Sequence, residues 1–345
     1  MKNNKQYIFD GTKIAMTYVG TVIGAGFASG QEIIQFFTKY GYNSFWAILI
    51  STLLFVFIGK KILLLGNSLG AKSFRGLIDH VFGIASPLVN LYLAASFVLL
   101  SGAMFAGGGA LFSEHWGLPY LVGALLTALL TLAVTIYGVK GILTANTIMV
   151  PAIIIFSFII FIYVLRQSFV LPVVSLRVMP GELMPIIKTG ITYASFNLIL
   201  SVGVMAPMGG AIKDIRALYV GSILGGCLLG IMLFIGNYSL LHYIPEVFHK
   251  EIPLLYIVQD MGKIFVWSFG LVIWLGIFTT AIGNLFAINT IIQETLKITS
   301  NIPAVVVTLI GMLVCLLGFS NIVSWFYPVL GVIGFVLVGI ILIHK

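Results

Sequence analysis

Few side chains in this sequence are equipped for chemistry, and those few fall in three places. The stretch "GAGFASGQE" at 24–32 sets Ser29, Gln31 and Glu32 among the glycines Gly24, Gly26 and Gly30. Glu32 is the only acidic residue well inside an apolar stretch. A second polar interruption, "YASFNLILSVGVMAPMGG" at 193–210, carries Tyr193, Ser195, Asn197 and Ser201 ahead of Pro207 and Gly209-Gly210. A third, "WLGIFTTAIGN" at 274–284, places the adjacent hydroxyls of Thr279 and Thr280 after Gly276. These groups suit binding rather than bond-making. The histidines, His80, His115, His242, His249 and His344, all fall in loops or at ends, so none can serve Ser29 as a base. The glycines are spaced GxGxxxG with no strand before them, which is not a dinucleotide fingerprint. The expectation is a non-enzyme without a cofactor.

The elements that hold these residues follow from composition. Of the 345 residues, 60% are hydrophobic and 8% charged, with a mean hydropathy of +1.14. A soluble domain has about 25% charged residues. The chain reads as an all-α polytopic membrane protein. A span needs about 20 apolar residues, and ten stretches qualify: 11–38, 43–65, 82–112, 119–138, 141–166, 184–209, 214–243, 263–293, 302–319 and 321–343. Both cysteines, Cys227 and Cys315, lie in apolar runs, as buried small hydrophobes do. The net charge of +8 is spread between apolar runs rather than gathered on one element, which argues against nucleic acid. Lysines and arginines favour the N-terminal side of the membrane twelve to six, so both termini are expected in the cytoplasm of a cytoplasmic (inner) membrane protein. On that topology 66–83 is a cytoplasmic loop with a short interfacial helix, and 243–263 an external segment with room for a helix.

The chain also repeats itself. Gly138, Ile142 and Thr144 align with Gly318, Ile322 and Ser324 at an offset of 180. The same offset carries the third span onto the eighth, the fourth onto the ninth, and the glycine-rich break of the first span to the polar stretch near residue 204. Five spans followed by five must cross in opposite senses, which makes an inverted repeat with halves of about 11–166 and 184–343 in one transmembrane domain, 1–345. Its interrupted helices, the first and the sixth, are corresponding members.

A break inside lipid frees backbone groups that protein, water or a ligand must satisfy. Ser29-Gly30-Gln31-Glu32 fits a capping box, S-x-x-E, which would start a second half-helix at Ser29. The amides opening that half-helix would then face a substrate carboxylate. Gly24 and Gly26 would let the backbone come close, with Ala25 and Phe27 beside them. The carbonyls that end the first half-helix, near Gly20 and Ile23, would suit a cation or an ammonium group. Packing is the competing role for Gly26 and Gly30, which also form GxxxG. Glu32 has two roles open to it, the capping box or a function: holding a substrate amine, carrying a proton in coupling, or acting in a gate. In the sixth span, Asn197 is the best direct contact to substrate, with Phe196 and Ser201 near it. Ser101 of the third span joins them, and Phe97 and Met104 complete a mainly apolar pocket.

Ten spans in two inverted halves, with breaks in the first and sixth, resemble the LeuT fold of the amino acid–polyamine–cation superfamily. The stretch "VGTVIGAGFASGQEI" at 19–33 resembles the YkvI family of bacterial membrane proteins. The resemblance implies a sodium site in which paired hydroxyls of the eighth span meet carbonyls of the first break: Gly20, Ile23, Gly276, Thr279 and Thr280. Proton-coupled relatives place a lysine in the middle of the fifth span, and here that neighbourhood holds Asn146 and Thr147. The resulting expectation is a sodium-coupled secondary transporter of a small zwitterion such as a neutral amino acid, working by alternating access. Spans 1, 2, 6 and 7 would rock against the rest. A ligand sensor of the germinant-receptor type, and a proton-coupled or uncoupled exchanger, are the alternatives. The expected partners are the bilayer and a small-molecule solute.

Overall fold

A computed structural model of the chain describes the backbone of residues 2–167, 180–250 and 252–344. Among the described residues six helices are long and apolar enough to cross a membrane: α4 (Ser44–Ser68), α6 (Ser86–Trp116), α8 (Gly138–Gln167), α9 (Pro180–Ala211), α10 (Ile215–Leu241) and α12 (Lys263–Leu296). The other expected stretches are helical too. They are α1 (Lys2–Val22) with the short α2 (Ala25–Ser29) and α3 (Gln31–Phe36), then α7 (Tyr120–Thr135), α13 (Ile302–Cys315) and α14 (Phe319–Ile343). Two small helices lie between spans, α5 (Phe74–Phe82) and α11 (Pro253–Gln259). They occupy the segments expected to hold an interfacial and an external helix. Large apolar side chains such as Leu53, Phe57, Leu129, Ile155, Leu313 and Phe335 point outward, as a lipid-facing surface requires. Cys315 is buried as expected, whereas Cys227 is exposed on α10.

Helix ends carry the repeat. α6 and α12 end at Trp116 and Leu296, and α7 and α13 end at Thr135 and Cys315, each pair 180 residues apart. Gly138 and Gly318, 180 apart, both have positive φ (61° and 82°) at the start of α8 and α14. A chain that must turn sharply into a new span at this point favours a residue without Cβ.

The helices pack in two groups. α1, α4, α9 and α10 lie against one another, and α6, α7, α12 and α13 form the second group. α8 touches α1 and α10 of the first and α12 of the second. In the first group backbones approach closely through glycine. A Cβ on Gly66 would overlap the carbonyl of Ala206, and one on Gly209 the carbonyl of Leu63. Side chains stitch the same seam. Ser51 Oγ donates to Gly190 O at 2.8 Å, and Asn67 Nδ2 donates to the carbonyls of Gly209 and Ile212 at 3.1 and 2.7 Å. In the second group Trp274 Nε1 donates to Thr127 Oγ1 at 3.0 Å, and Tyr120 Oη to Cys315 O at 2.8 Å.

One expected feature is absent. The sixth span is not interrupted: α9 runs as one helix through 193–210. Two of its polar side chains bond their own helix, Asn197 Nδ2 to Tyr193 O at 3.1 Å and Ser201 Oγ to Leu198 O at 2.9 Å. Its glycines are spent on close approach: Gly203 faces Phe97 and Ala287, and Gly209 and Gly210 face backbone at Leu63 and Ala71. Small residues that look like a break in sequence are here the surface that lets α4 and α9 touch.

Candidate functional site

The break in the first span is present. α1 ends at Val22, with Ile23 N–H still bonded to Val19 O at 2.9 Å. Gly24 is extended (φ −103°, ψ −167°), and α2 begins with Ala28 N–H bonded to Gly24 O at 2.9 Å. The chain breaks again at Gly30, whose φ of 90° only glycine adopts without strain. The second half of the span is therefore two short helices instead of one. The capping box does not form. Gly30, not Ser29, is the N-cap of α3, and it has no side chain to cap with. Ser29 Oγ instead donates to Gly26 O at 3.2 Å and accepts from Gln31 N at 3.4 Å. Glu32 is freed from the backbone and folds over Gly26.

Around the break, α12 supplies oxygen and space. Thr280 Oγ1 donates to Ile23 O at 3.1 Å. A Cβ built on Gly24 would lie 3.3 Å from Thr280 Oγ1, and one on Gly276 would lie 3.5 Å from Gly24 O and 3.7 Å from Ile23 O. Ile23, Gly24, Gly276 and Thr280 thus converge. Thr279 is fully buried, and its hydroxyl donates to Gly276 O at 3.1 Å within its own helix. A mid-helix threonine satisfies itself this way when nothing better faces it. Gly20 lies one turn below Ile23. Asn146 Oδ1 sits where a Cβ of Gly20 would be, and that oxygen is buried with no partner. Asn146 Nδ2 is occupied by Ile142 O at 3.0 Å. Asn284, one turn beyond Thr280, is buried with Nδ2 unpartnered, and Thr17 Oγ1 is in the same condition on α1. Neither was singled out in the sequence. The signal for Asn284 was its spacing, four residues from Thr280 on one helical face.

The remaining pocket candidates do not share one chamber. Phe27 lines a small cavity with Ile33, Phe156, Met232, Leu254 and Phe269, which has room for about one water. Phe196 packs instead with Leu100 and Leu330. Ser101 is fully buried and its hydroxyl donates to Phe97 O at 2.8 Å. Phe97 itself lies against Phe74, and Met104 is fully buried. The side chain of Ala25 lies outside the described residues. What α9 does bring to the break is Tyr193, whose hydroxyl lies 3.5 Å from Glu32 Oε2.

No family model matches the chain. It is similar along nearly its whole length to the membrane protein YkvI of Bacillus subtilis (strain 168), at 30% identity over 338 residues covering 97% of this chain and 96% of the relative. The chain belongs to the YkvI family. A second relative in that organism, the protein YyaD, is 24% identical over 342 residues, 97% of this chain and 96% of its own. Among solved structures the YkvI-family chain is similar to MhsT in complex with L-phenylalanine, with a TM-score of 0.68 at 17% identity over 95% of this chain and 87% of that one. It is also similar to Mhp1, a nucleobase-cation-symport-1 transporter bound to bromovinylhydantoin (TM-score 0.64, 14% identity, 93% and 74% covered). A Na+-coupled sialic acid symporter scores 0.62 at 14% identity, with 97% and 78% covered. These likenesses establish the LeuT-type fold for this member of the family.

Proposed function

We propose that this YkvI-family protein is a secondary transporter of a small zwitterionic solute, a neutral amino acid or derivative, coupled to sodium and working by alternating access. It sits in the cytoplasmic membrane with both termini inside. The observation that carries the reading is the contact between Thr280 Oγ1 and the carbonyl of Ile23, beside Gly24 and Gly276. A hydroxyl and freed carbonyls in a membrane interior make a set of hard oxygen donors. They join a helix of one packing group to a helix of the other, so an ion bound there biases how the groups stand. Gly20 and Thr279 flank this set; Thr279 would have to leave its own-helix bond to join it. Gly24, Ala25, Gly26 and Phe27 supply the solute side, with Ser101, Phe196, Asn197 and Ser201 available once the groups part. The named neighbours support the reading in kind: one holds L-phenylalanine, and another is Na+-coupled. Uptake of radiolabelled amino acids into proteoliposomes tests it. Accumulation driven by an inward sodium gradient is expected, and binding without accumulation would point to a sensor instead.

A proton-coupled variant of this reading draws on Glu32, a buried acid with no positive partner among the described residues. Uptake driven by a proton gradient, unchanged when choline replaces sodium, would favour it.

A further inference from the structure

Glu32 is buried in the first span, and among the described residues its one hydrogen-bond donor is Tyr193 Oη, at the long distance of 3.5 Å. Its carboxyl lies on the backbone of Gly26, so closely that a Cβ there would overlap Oε1. An ionised carboxylate offers about four lone-pair sites, and one long O–H leaves most of them unmet. Burying such a charge is costly unless a cation joins it. The surroundings indicate what kind of cation. Tyr193 stands among the rings of Phe36, Phe37 and Phe55, with centroids 5.2, 4.9 and 6.2 Å away. A carboxylate whose hydroxyl partner stands in an aromatic cluster suits an organic ammonium, which pairs with the charge and tolerates an aromatic surround. A hydrated metal ion gains little from the rings. The same carboxyl rests on Gly26, in the stretch of the break assigned above to the solute.

We infer that Glu32, with Tyr193, is the docking point for the ammonium group of the solute, and hence that the protein selects amine-bearing solutes. The inference rests on the transporter reading and narrows it. It moves recognition of the amine from backbone carbonyls to one carboxylate, which backbone geometry alone does not supply. Solutes lacking the amine are then excluded by leaving Glu32 buried and unpaired.

The test uses the full-length protein in lipid nanodiscs, with thermal shift followed by equilibrium binding. The probes are the L-amino acids, the amines made from them by decarboxylation, and the matching 2-hydroxy acids. At least one amine-bearing probe should bind, and its 2-hydroxy counterpart should bind about tenfold or more weakly. Glu32→Gln keeps the shape and removes the charge, and should weaken the bound probe by a similar factor. Glu32→Asp and Tyr193→Phe, read in parallel, should each weaken it several-fold, and they guard against a Gln variant that does not fold. Equal binding of the amine and hydroxy probes overturns the inference. So does a folded Gln or Asp variant with wild-type affinity, or loss of proton-driven uptake alone with amine selectivity intact. In those cases the transporter reading stands. If no amine-bearing probe binds, the inference fails, and the sodium-driven uptake assay decides the wider reading separately.

Discussion

At the scale of single residues, the two threonines of α12 are not equivalent. Thr280 reaches across to Ile23 O, whereas Thr279 is bonded to Gly276 O in its own helix. Thr280→Val should therefore abolish the sodium dependence of solute binding, while Thr279→Val should leave most of it. Isothermal titration of solute in sodium and in choline checks both. Gly20 and Asn146 form a second pair. Gly20→Ala forces a methyl group into Asn146 Oδ1 and should lower stability by about 1–3 kcal/mol, the usual cost of overpacking. Asn146→Ala in the same protein should recover part of that loss, because it removes the obstructing oxygen. Thermal unfolding of the single and double variants measures the coupling. The sequence marked Ile23, Gly276 and Thr280 through the family resemblance, and they lie close together, whereas Gly20 faces Asn146 and Val150. The own-helix bond of Thr279 was not legible, because a Thr-Thr pair on a helix points its hydroxyls about 100° apart and only the neighbours decide which one is used. Glu32 was legible as an outlier in an apolar span. Its partner Tyr193 was visible only as one polar atom among several.

At the scale of elements, the difference between the first and sixth spans is instructive. Both carry glycines and polar side chains at corresponding places. Only the first unwinds, at Ile23–Gly24 and again at Gly30. In α9 the glycines meet neighbouring backbone, and the helix continues. A sequence shows where Cβ atoms are missing but not what approaches the gap, so unwinding and close packing look alike. The capping box failed for a related reason: Gly30 takes φ 90° and supplies the turn itself, which leaves Ser29 one position too early to cap. A consequence is testable on the α4–α9 seam. Gly66→Ala and Gly209→Ala each drive a methyl into a backbone carbonyl, which cannot swing aside as a side chain does. Each should destabilise the protein by roughly 1–3 kcal/mol or more, seen as a lower unfolding temperature in detergent. Gly76→Ala, with only Ala71 nearby at 3.9 Å, should be close to neutral in the same assay.

At the scale of the whole molecule, the apolar helical stretches were legible because they depend on composition and length, and the offset of 180 because glycines and helix ends recur at it. The packing of α1, α4, α9 and α10 as one group was implied only through the family resemblance, since no local pattern records which helices touch. These are the spans expected to move together. Topology is the first property to check: cysteines placed at Asn4 and Glu246 should differ towards an impermeant thiol reagent on intact cells, with Cys227 replaced by serine beforehand. Labelling at Glu246 and protection at Asn4 is the expected pattern, from the excess of basic residues on the N-terminal side.

On the proposed reading, coupling between the groups would pass through the first-span break and α12, and sodium and solute should then strengthen one another by the same factor. A coupling of about 1–3 kcal/mol corresponds to a 5–150-fold change in affinity. The most direct measurement is the dissociation constant of a transported amino acid in nanodiscs, in sodium and in equimolar choline, for the wild type and for Thr280→Val. The wild type should bind at least about 5-fold more tightly in sodium, and the variant should bind equally in both. Equal affinity in sodium and choline for the wild type, with uptake to match, would contradict a sodium site at Ile23 and Thr280.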